Sequence, residues 1–463
     1  MSAPSTEAAP RSRGGRWIDD WRPEDESFWQ TTGKRIANRN LWFSVFSEHV
    51  GFSIWSLFAV LTLMMPEQTY HIDTAGKFFL VSMPTLVGSL LRLPYTMAVA
   101  VFGGRNWTII SAALLLVPTI LLAVVMHPGT TYTTFMVVAA IAGVGGGNFA
   151  SSMTNINAFF PEREKGRALG LNAGGGNLGV AVIQLVGLLV IATAGTGSPR
   201  ILLAVYIPLI VLALLGAVLF MDNLSTVGND TGALRDSIRD PQTWVLSFLY
   251  IGTFGSFIGY SFAFGLVLQS QFGRTPLQAA AITFIGPLLG SLIRPVGGWL
   301  SDRIGGIKVT FWNFVAMAIS ALICIGASAI DSLALFVLGF VLLFVTSGLG
   351  NGSVYKMIPS VFHTKALATS QEHGRDRIDA LLWARRVSGA VIGIAGAIGA
   401  LGGLLINLAF RASFQSAKTG TPAFWSFVVF YALCIGLTYA VYLRHAEAAT
   451  DPMRRTRLSY TEV

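Results

Sequence analysis

Residues 81–108 read VSMPTLVGSLLRLPYTMAVAVFGGRNWT, and residues 283–310 read TFIGPLLGSLIRPVGGWLSDRIGGIKVT. Shifted by 202 positions, they coincide at Leu86/Leu288, Gly88/Gly290, Ser89/Ser291, Leu90/Leu292, Arg92/Arg294, Gly103/Gly305, Gly104/Gly306 and Thr108/Thr310. Each stretch places one arginine in an apolar run. A charge at hydrocarbon depth is costly, so an arginine there marks a functional site by default. Two arginines at equivalent places in a repeated pattern point to one anion site near a pseudo-symmetry axis.

The rest of the chain fits a membrane setting. Of 463 residues, 53% are hydrophobic and only 12% charged, against roughly 25% charged in an average soluble domain. Fifty glycines and eleven tryptophans agree with spanning helices and their interfacial anchors. Twelve apolar runs are long enough to cross a bilayer, at 41–65, 78–102, 107–127, 134–160, 168–194, 200–221, 243–269, 278–300, 307–329, 332–358, 387–409 and 423–443. With the N-terminus inside, Lys77, Arg200, Arg274, Arg411 and Lys418 fall in outer loops, and Arg92, Arg294 and Lys356 within spans. The remaining 24 of the 32 Lys and Arg lie in the termini and inner loops. The net charge of +9 therefore reports topology through the positive-inside rule and gives no reason to expect nucleic acid. A multi-pass protein of the plasma or inner membrane follows, with both termini cytoplasmic. Residues 1–15 have a disorder-prone composition, and the first apolar run is too long for a signal peptide. Cys324 and Cys434 both lie in apolar runs, which predicts neither a disulfide framework nor a metal site.

The offset of 202 recurs. GVGGGNFASSMTNINAFFP (143–161) aligns with VTSGLGNGSVYKMIPSVFH (345–363), pairing Gly146 with Gly348, Ser151 with Ser353 and Phe160 with Phe362. Spans 2 and 8 thus correspond, as do spans 4 and 10. The pattern resembles the parallel six-helix halves of the major facilitator superfamily. It predicts an all-α fold with a cytoplasmic segment 1–40, a first bundle 41–221, a linker 222–242, a second bundle 243–443 and a tail 444–463. GGWLSDRIGGIK (297–308) resembles the loop motif of that superfamily, with a degraded copy at FGGRNW (102–107). Asp302 and Arg303 are expected to cap helix ends and bridge neighbouring helices. The glycine runs at 143–149, 170–180, 347–353 and 393–403 follow no strand, so a dinucleotide site lacks its required context. Close helix packing is the alternative.

Several stretches together resemble the NarK-type nitrate/nitrite porters over essentially the whole chain: GGGNFASSMTNINAFFPEREKGRALGLNAGGGNLGV (145–180), GIAGAIGALGG (393–403), WRPEDESFWQTTGKRIANRNLW (21–42) and LYIGTFGSFIGYSFAF (249–264). The resemblance implies that nitrate and nitrite are the substrates and that Arg92 and Arg294 bind the anion. It implies that Phe149 stacks near the substrate and that Asn177, Tyr250 and Phe254 complete the site. A serine that some members bring to the site is Gly396 here, which removes one hydroxyl donor. No cofactor is implied, and a monomer is expected.

These residue types suit a planar monovalent anion. A guanidinium is planar, always charged and offers a fork of donors, and charge-assisted bonds from two forks can hold three oxygens. Two facing arginines repel until an anion bridges them, which points to exchange, nitrate against nitrite. Glu48, His49 and Lys356 are candidate coupling or gating residues. One reading makes Glu48 and His49 a proton-coupling pair. The reading the sequence favours pairs Glu48 with Lys356 as a latch between the halves. The alternatives for the whole chain are a proton-coupled nitrate symporter, an organic-anion or organophosphate exchanger, and a sensor that binds nitrate without moving it. No metal cluster or nucleophile triad suggests an enzyme.

Overall fold

The computed structural model describes residues 12–13, 16–373 and 376–444. Eleven helices among them are long and apolar enough to cross a membrane, and a bent pair, Glu26–Trp55 with Leu57–Met64 at 43°, makes a twelfth. The others, here spans 2 to 12, are Thr74–Phe102, Gly104–Val125, Tyr132–Phe159, Glu162–Ala194, Pro199–Phe220, Pro241–Phe272, Pro276–Ile304, Gly306–Ala329, Leu333–Gln371, Arg377–Ala417 and Thr421–Leu443. The disorder expected for 1–15 falls outside the described residues except at Ser12–Arg13, a short strand. The tail 444–463 lies outside them beyond Arg444.

The 202-residue repeat is visible in the helix bounds. Span 2 runs 74–102 and span 8 runs 276–304, the same limits after the shift. Each ends at a glycine with positive φ, Gly103 at 85° and Gly305 at 91°. Only glycine adopts that backbone without steric cost, and the next helix starts at once, at Gly104 and at Gly306. Close approach repeats as well. A Cβ on Gly88 would meet the Gly143 carbonyl at 3.0 Å, and one on Gly290 would meet the Phe344 carbonyl at 2.9 Å. Small residues at these points let spans 2 and 8 lie against spans 4 and 10.

Burial follows the same register. Leu90 and Leu292 are 62% and 57% exposed, whereas Gly88, Arg92, Gly290 and Arg294 are buried. The leucines face outward, together with Val101, Val124, Leu189 and Leu215. Apolar faces this extensive suit lipid. Span 7 differs, since almost all of its apolar window is buried. It contains a π-turn at Ile251–Gly255, a helix irregularity common at functional sites.

Two features depart from the expected boundaries. Spans 10 and 11 continue as helix well past the apolar runs ending at 358 and beginning at 387. The linker 222–242 holds a strand, Asn223–Leu224, and a helix, Thr231–Arg239. That strand pairs with Trp17–Ile18, which pairs with Ser12–Arg13. The leader is thus clasped to the linker. Trp29 of the leader donates its indole N–H to Glu164 at 2.7 Å.

Candidate functional site

Arg92 and Arg294 sit in the second half of spans 2 and 8 and are 1% and 6% exposed. Arg92 Nη1 donates to the Gly396 carbonyl of span 11 at 2.9 Å. Arg294 Nη2 donates to the Tyr250 hydroxyl of span 7 at 3.3 Å. Snorkelling to an interface is excluded by this burial. Other donors on both side chains have no protein partner: Nε and Nη2 of Arg92, and Nη1 of Arg294. Leaving such charged donors unpaired in a protein interior is expensive.

Aromatic rings frame these donors. The Arg92 guanidinium lies 4.7 Å from the Phe149 ring centre, 4.8 Å from Phe254 and 5.6 Å from Trp55. The Arg294 guanidinium lies 5.9 Å from Phe149 and 5.5 Å from Tyr355. Phe149 therefore contacts both cations from span 4. Tyr250 immediately precedes the π-turn and Phe254 lies within it, and their rings stack at 5.2 Å with 9° between planes. Phe254 in turn stacks on Phe149 at 6.0 Å. Cation–π attraction is worth about 0.5–2 kcal/mol per contact, more where water is excluded. The rings stabilise the two charges while leaving N–H groups free.

Of the expected residues, the structure brings together Arg92, Arg294, Phe149, Tyr250 and Phe254. Asn177 on span 5 is fully buried, and neither its amide oxygen nor its nitrogen has a protein partner. It makes no hydrogen bond to either arginine. His49 is half-buried and turned to span 5, with Nδ1 3.1 Å from the Gly175 carbonyl. Lys356 is the correction. It is exposed and pairs with Asp302 of span 8 at 2.8 Å, so the expected Glu48–Lys356 ion pair does not form. An apolar run hides the outward turn of a single residue, and Asp302 stands nearer. The separate expectation from the loop motif, that Asp302 bridges neighbouring helices, agrees with this contact.

Sequence reasoning missed three residues here. Trp55 and Tyr355 face the arginines, and nothing in their local sequence marks them. Asn351 was findable. It lies 202 positions after Phe149, is fully buried, and both its amide atoms lack protein partners. It is the repeat equivalent of the residue that touches both cations. Among the described residues no cluster of His, Cys, Asp and Glu could hold a metal.

Two helical bundles closed around one shared cationic centre define a fold class, that of the membrane carriers. The comparisons agree. The Major Facilitator Superfamily profile matches residues 41–371. The xylose transporter XylE from E. coli, in a partially occluded inward-open structure, superposes with a TM-score of 0.65 at 13% identity, over 88% of this chain and 98% of that one. The nitrate/nitrite transporter NarU of Salmonella typhimurium is 38% identical over 92% of this chain and 96% of its own. The probable nitrate/nitrite antiporter NarK2 of Thermus thermophilus is 32% identical over 94% and 98%. The chain belongs to the major facilitator superfamily and, within it, to the NarK-type nitrate/nitrite porters.

Proposed function

We propose that this protein carries nitrate and nitrite across the membrane by alternating access, one anion at a time, on a site shared by Arg92 and Arg294. The observation that carries this reading is the set of buried, unpartnered N–H groups on both guanidiniums. An anion with three oxygens in a plane can accept from both forks at once. Phe149, Phe254 and Trp55 exclude water, which strengthens those bonds. The Tyr250 hydroxyl accepts from Arg294, so its own hydrogen is free to donate to the anion. The names of the relatives supply the substrate pair. Both termini are taken as cytoplasmic, on the charge distribution of the loops.

Exchange is the proposed mode. Arg92 lies in the first half of the chain and Arg294 in the second. Closing the cleft brings two positive charges together, and a bridging anion offsets their repulsion. Reorientation is then faster loaded than empty. The test is labelled nitrate entry into liposomes at matched pH, with nitrite inside or with no internal anion substrate. Internal nitrite should raise entry several-fold. Equal rates would contradict exchange, and no nitrate entry in either case would contradict the substrate assignment.

A further inference from the structure

Most charges of spans 1 and 5 find partners inside the protein. Glu48, deep in span 1, accepts hydrogen bonds from Ser152 and Asn172. At the leader end Arg39 pairs with Asp222 at 2.5 Å, Arg163 with Glu26 at 2.6 Å and Lys165 with Glu162 at 3.0 Å. Arg167 of span 5 differs. It is exposed and makes no ion pair or hydrogen bond among the described residues.

A groove of about 330 Å³ runs beside it, between spans 1 and 5. Span 1 lines it with Lys34, Asn38 and Trp42, and span 5 with Glu164, Arg167 and Leu171. Spacings of three and four residues put each set on one face of its helix. The two faces change character together, because the apolar runs begin at 41 and at 168. Lys34, Asn38, Glu164 and Arg167 lie on the leader side of those limits. Trp42 and Leu171 lie on the membrane side and are 58% and 39% exposed. At about 1.5 Å of rise per residue, Lys34 to Trp42 covers about 12 Å. The groove therefore crosses the membrane boundary at the leader end, which is cytoplasmic on the orientation proposed above.

Its charge is also defined. Glu164 accepts the Trp29 indole N–H at 2.7 Å and stands 3.9 Å from Lys34. Trp29 in turn packs edge-on against Phe160, a buried residue of the groove wall, at 5.6 Å. The single acid is thus occupied within the protein. Lys34 and Arg167 against Glu164 leave one net positive charge, and it falls to Arg167.

Water can solvate an exposed arginine but gains nothing from the apolar end. A ligand that satisfies both ends has an anionic head and an apolar tail. Basic pockets between spanning helices at the cytoplasmic face suit anionic lipid headgroups, and an exposed tryptophan at the boundary suits the glycerol level. The volume lies at the small end of ligand sites, about 300–1,000 Å³. It accommodates a headgroup while the acyl chains stay in the bilayer. A zwitterionic lipid would bring its own cation into a groove that is already positive. We propose that this groove binds an anionic phospholipid, its phosphate on Lys34 and Arg167 and its acyl chains along Trp42 and Leu171. The site is separate from Arg92 and Arg294 and does not depend on what they carry. A lipid held there ties span 1 to span 5 and stabilises the folded protein by mass action.

Native mass spectrometry of the full chain, purified in detergent and titrated with phosphatidylglycerol, tests this. Wild type should hold one such lipid more tightly than any further ones, and phosphatidylcholine with the same acyl chains should not replace it. Arg167→Gln should weaken that binding about five- to tenfold and lose the accompanying rise in melting temperature. Arg35 is exposed and lies outside the groove, so Arg35→Gln should bind as wild type does. Equal loss in both variants would mean diffuse surface attraction and would overturn the site. Equal binding of phosphatidylcholine would overturn the anionic class. Displacement of the lipid by inorganic phosphate at matched ionic strength would assign a soluble anion instead. If Arg167→Gln does not fold, Lys34→Gln takes its place against the same control, with the same outcomes.

Discussion

The Tyr250 hydroxyl accepts from Arg294 while its ring stacks on Phe254, and in the proposed site its hydrogen donates to the anion. Tyr250→Phe keeps the stack and removes only the oxygen. A hydrogen bond to a charged group is worth about 1.5–3 kcal/mol, so nitrate affinity should fall roughly ten- to hundredfold with little change in melting temperature. Unchanged affinity would show that Arg294 needs no help from span 7. Single residues also mark where sequence reading stops. Arg92 and Arg294 were legible because the repeat set two costly charges at one offset. Asn351 could be found by the same arithmetic applied to Phe149, but the repeat was read only at identical residues, and Asn351 replaces a phenylalanine. Trp55 and Tyr355 were not legible, since an aromatic in an apolar helix looks the same whether it faces a cation or a leucine. Lys356 misled because hydropathy averages over a window, and its side chain turns to the polar surface beside Asp302.

Among the elements, span 7 positions the site and depends on glycine contacts with span 11. A Cβ on Gly402 would stand 2.7 Å from the Gly255 Cα and 2.9 Å from the Ile251 carbonyl. These are backbone atoms of the π-turn, which cannot rotate away. Gly402→Val should cost about 1–3 kcal/mol of stability through overpacking. It should also displace Tyr250 and Phe254, so that the purified variant binds nitrate more weakly as well as melting lower. Normal binding would mean that the π-turn is not held by this contact. The linker helix supplies a pH test outside the membrane. Asp230 caps it through the Ala233 N–H at 2.8 Å and pairs with Arg386 of span 11. The guanidinium, helped by the cap, lowers the Asp230 carboxyl from 3.8 to about 2. A depressed acid contributes fully above its ordinary value and loses that contribution as pH falls through about 2. Hydrogen exchange in Thr231–Arg239 should therefore stay protected at pH 3 in wild type and rise already near pH 4 in Arg386→Ala. Matching profiles would show that the pair does not anchor the linker. The leader strands and the polar extensions of spans 10 and 11 escaped sequence reading for a shared reason. Apolar periodicity was the signal used, and two-residue strands and polar helix ends carry none.

At the scale of the molecule, the two ends differ. Away from the leader, contacts between spans of the two halves include buried aromatic ones, Phe78 on Phe410 and Phe414 at 5.5 and 5.2 Å and Trp55 against Phe262 at 5.8 Å, beside neutral hydrogen bonds such as Gln184 to the Ser261 carbonyl at 2.8 Å. At the leader end the cross-contacts include ion pairs about half exposed to solvent, Arg385 with Glu162 at 2.6 Å and with Glu24 at 3.7 Å. Exposed pairs of this kind contribute about 0–1 kcal/mol each, far less than buried aromatic contact, so the leader end is the easier one to open. Between the two ends lies the claim on which the rest depends, that one anion is held by both arginines together. Calorimetric nitrate binding to purified, monodisperse Arg92→Lys and Arg294→Lys tests it most directly. Lysine keeps the charge and loses the planar fork. Both variants should fold and both should lose nitrate binding by at least about a hundredfold, as loss of a charge-assisted pair implies. Near wild-type affinity in either one would contradict a site shared by the two.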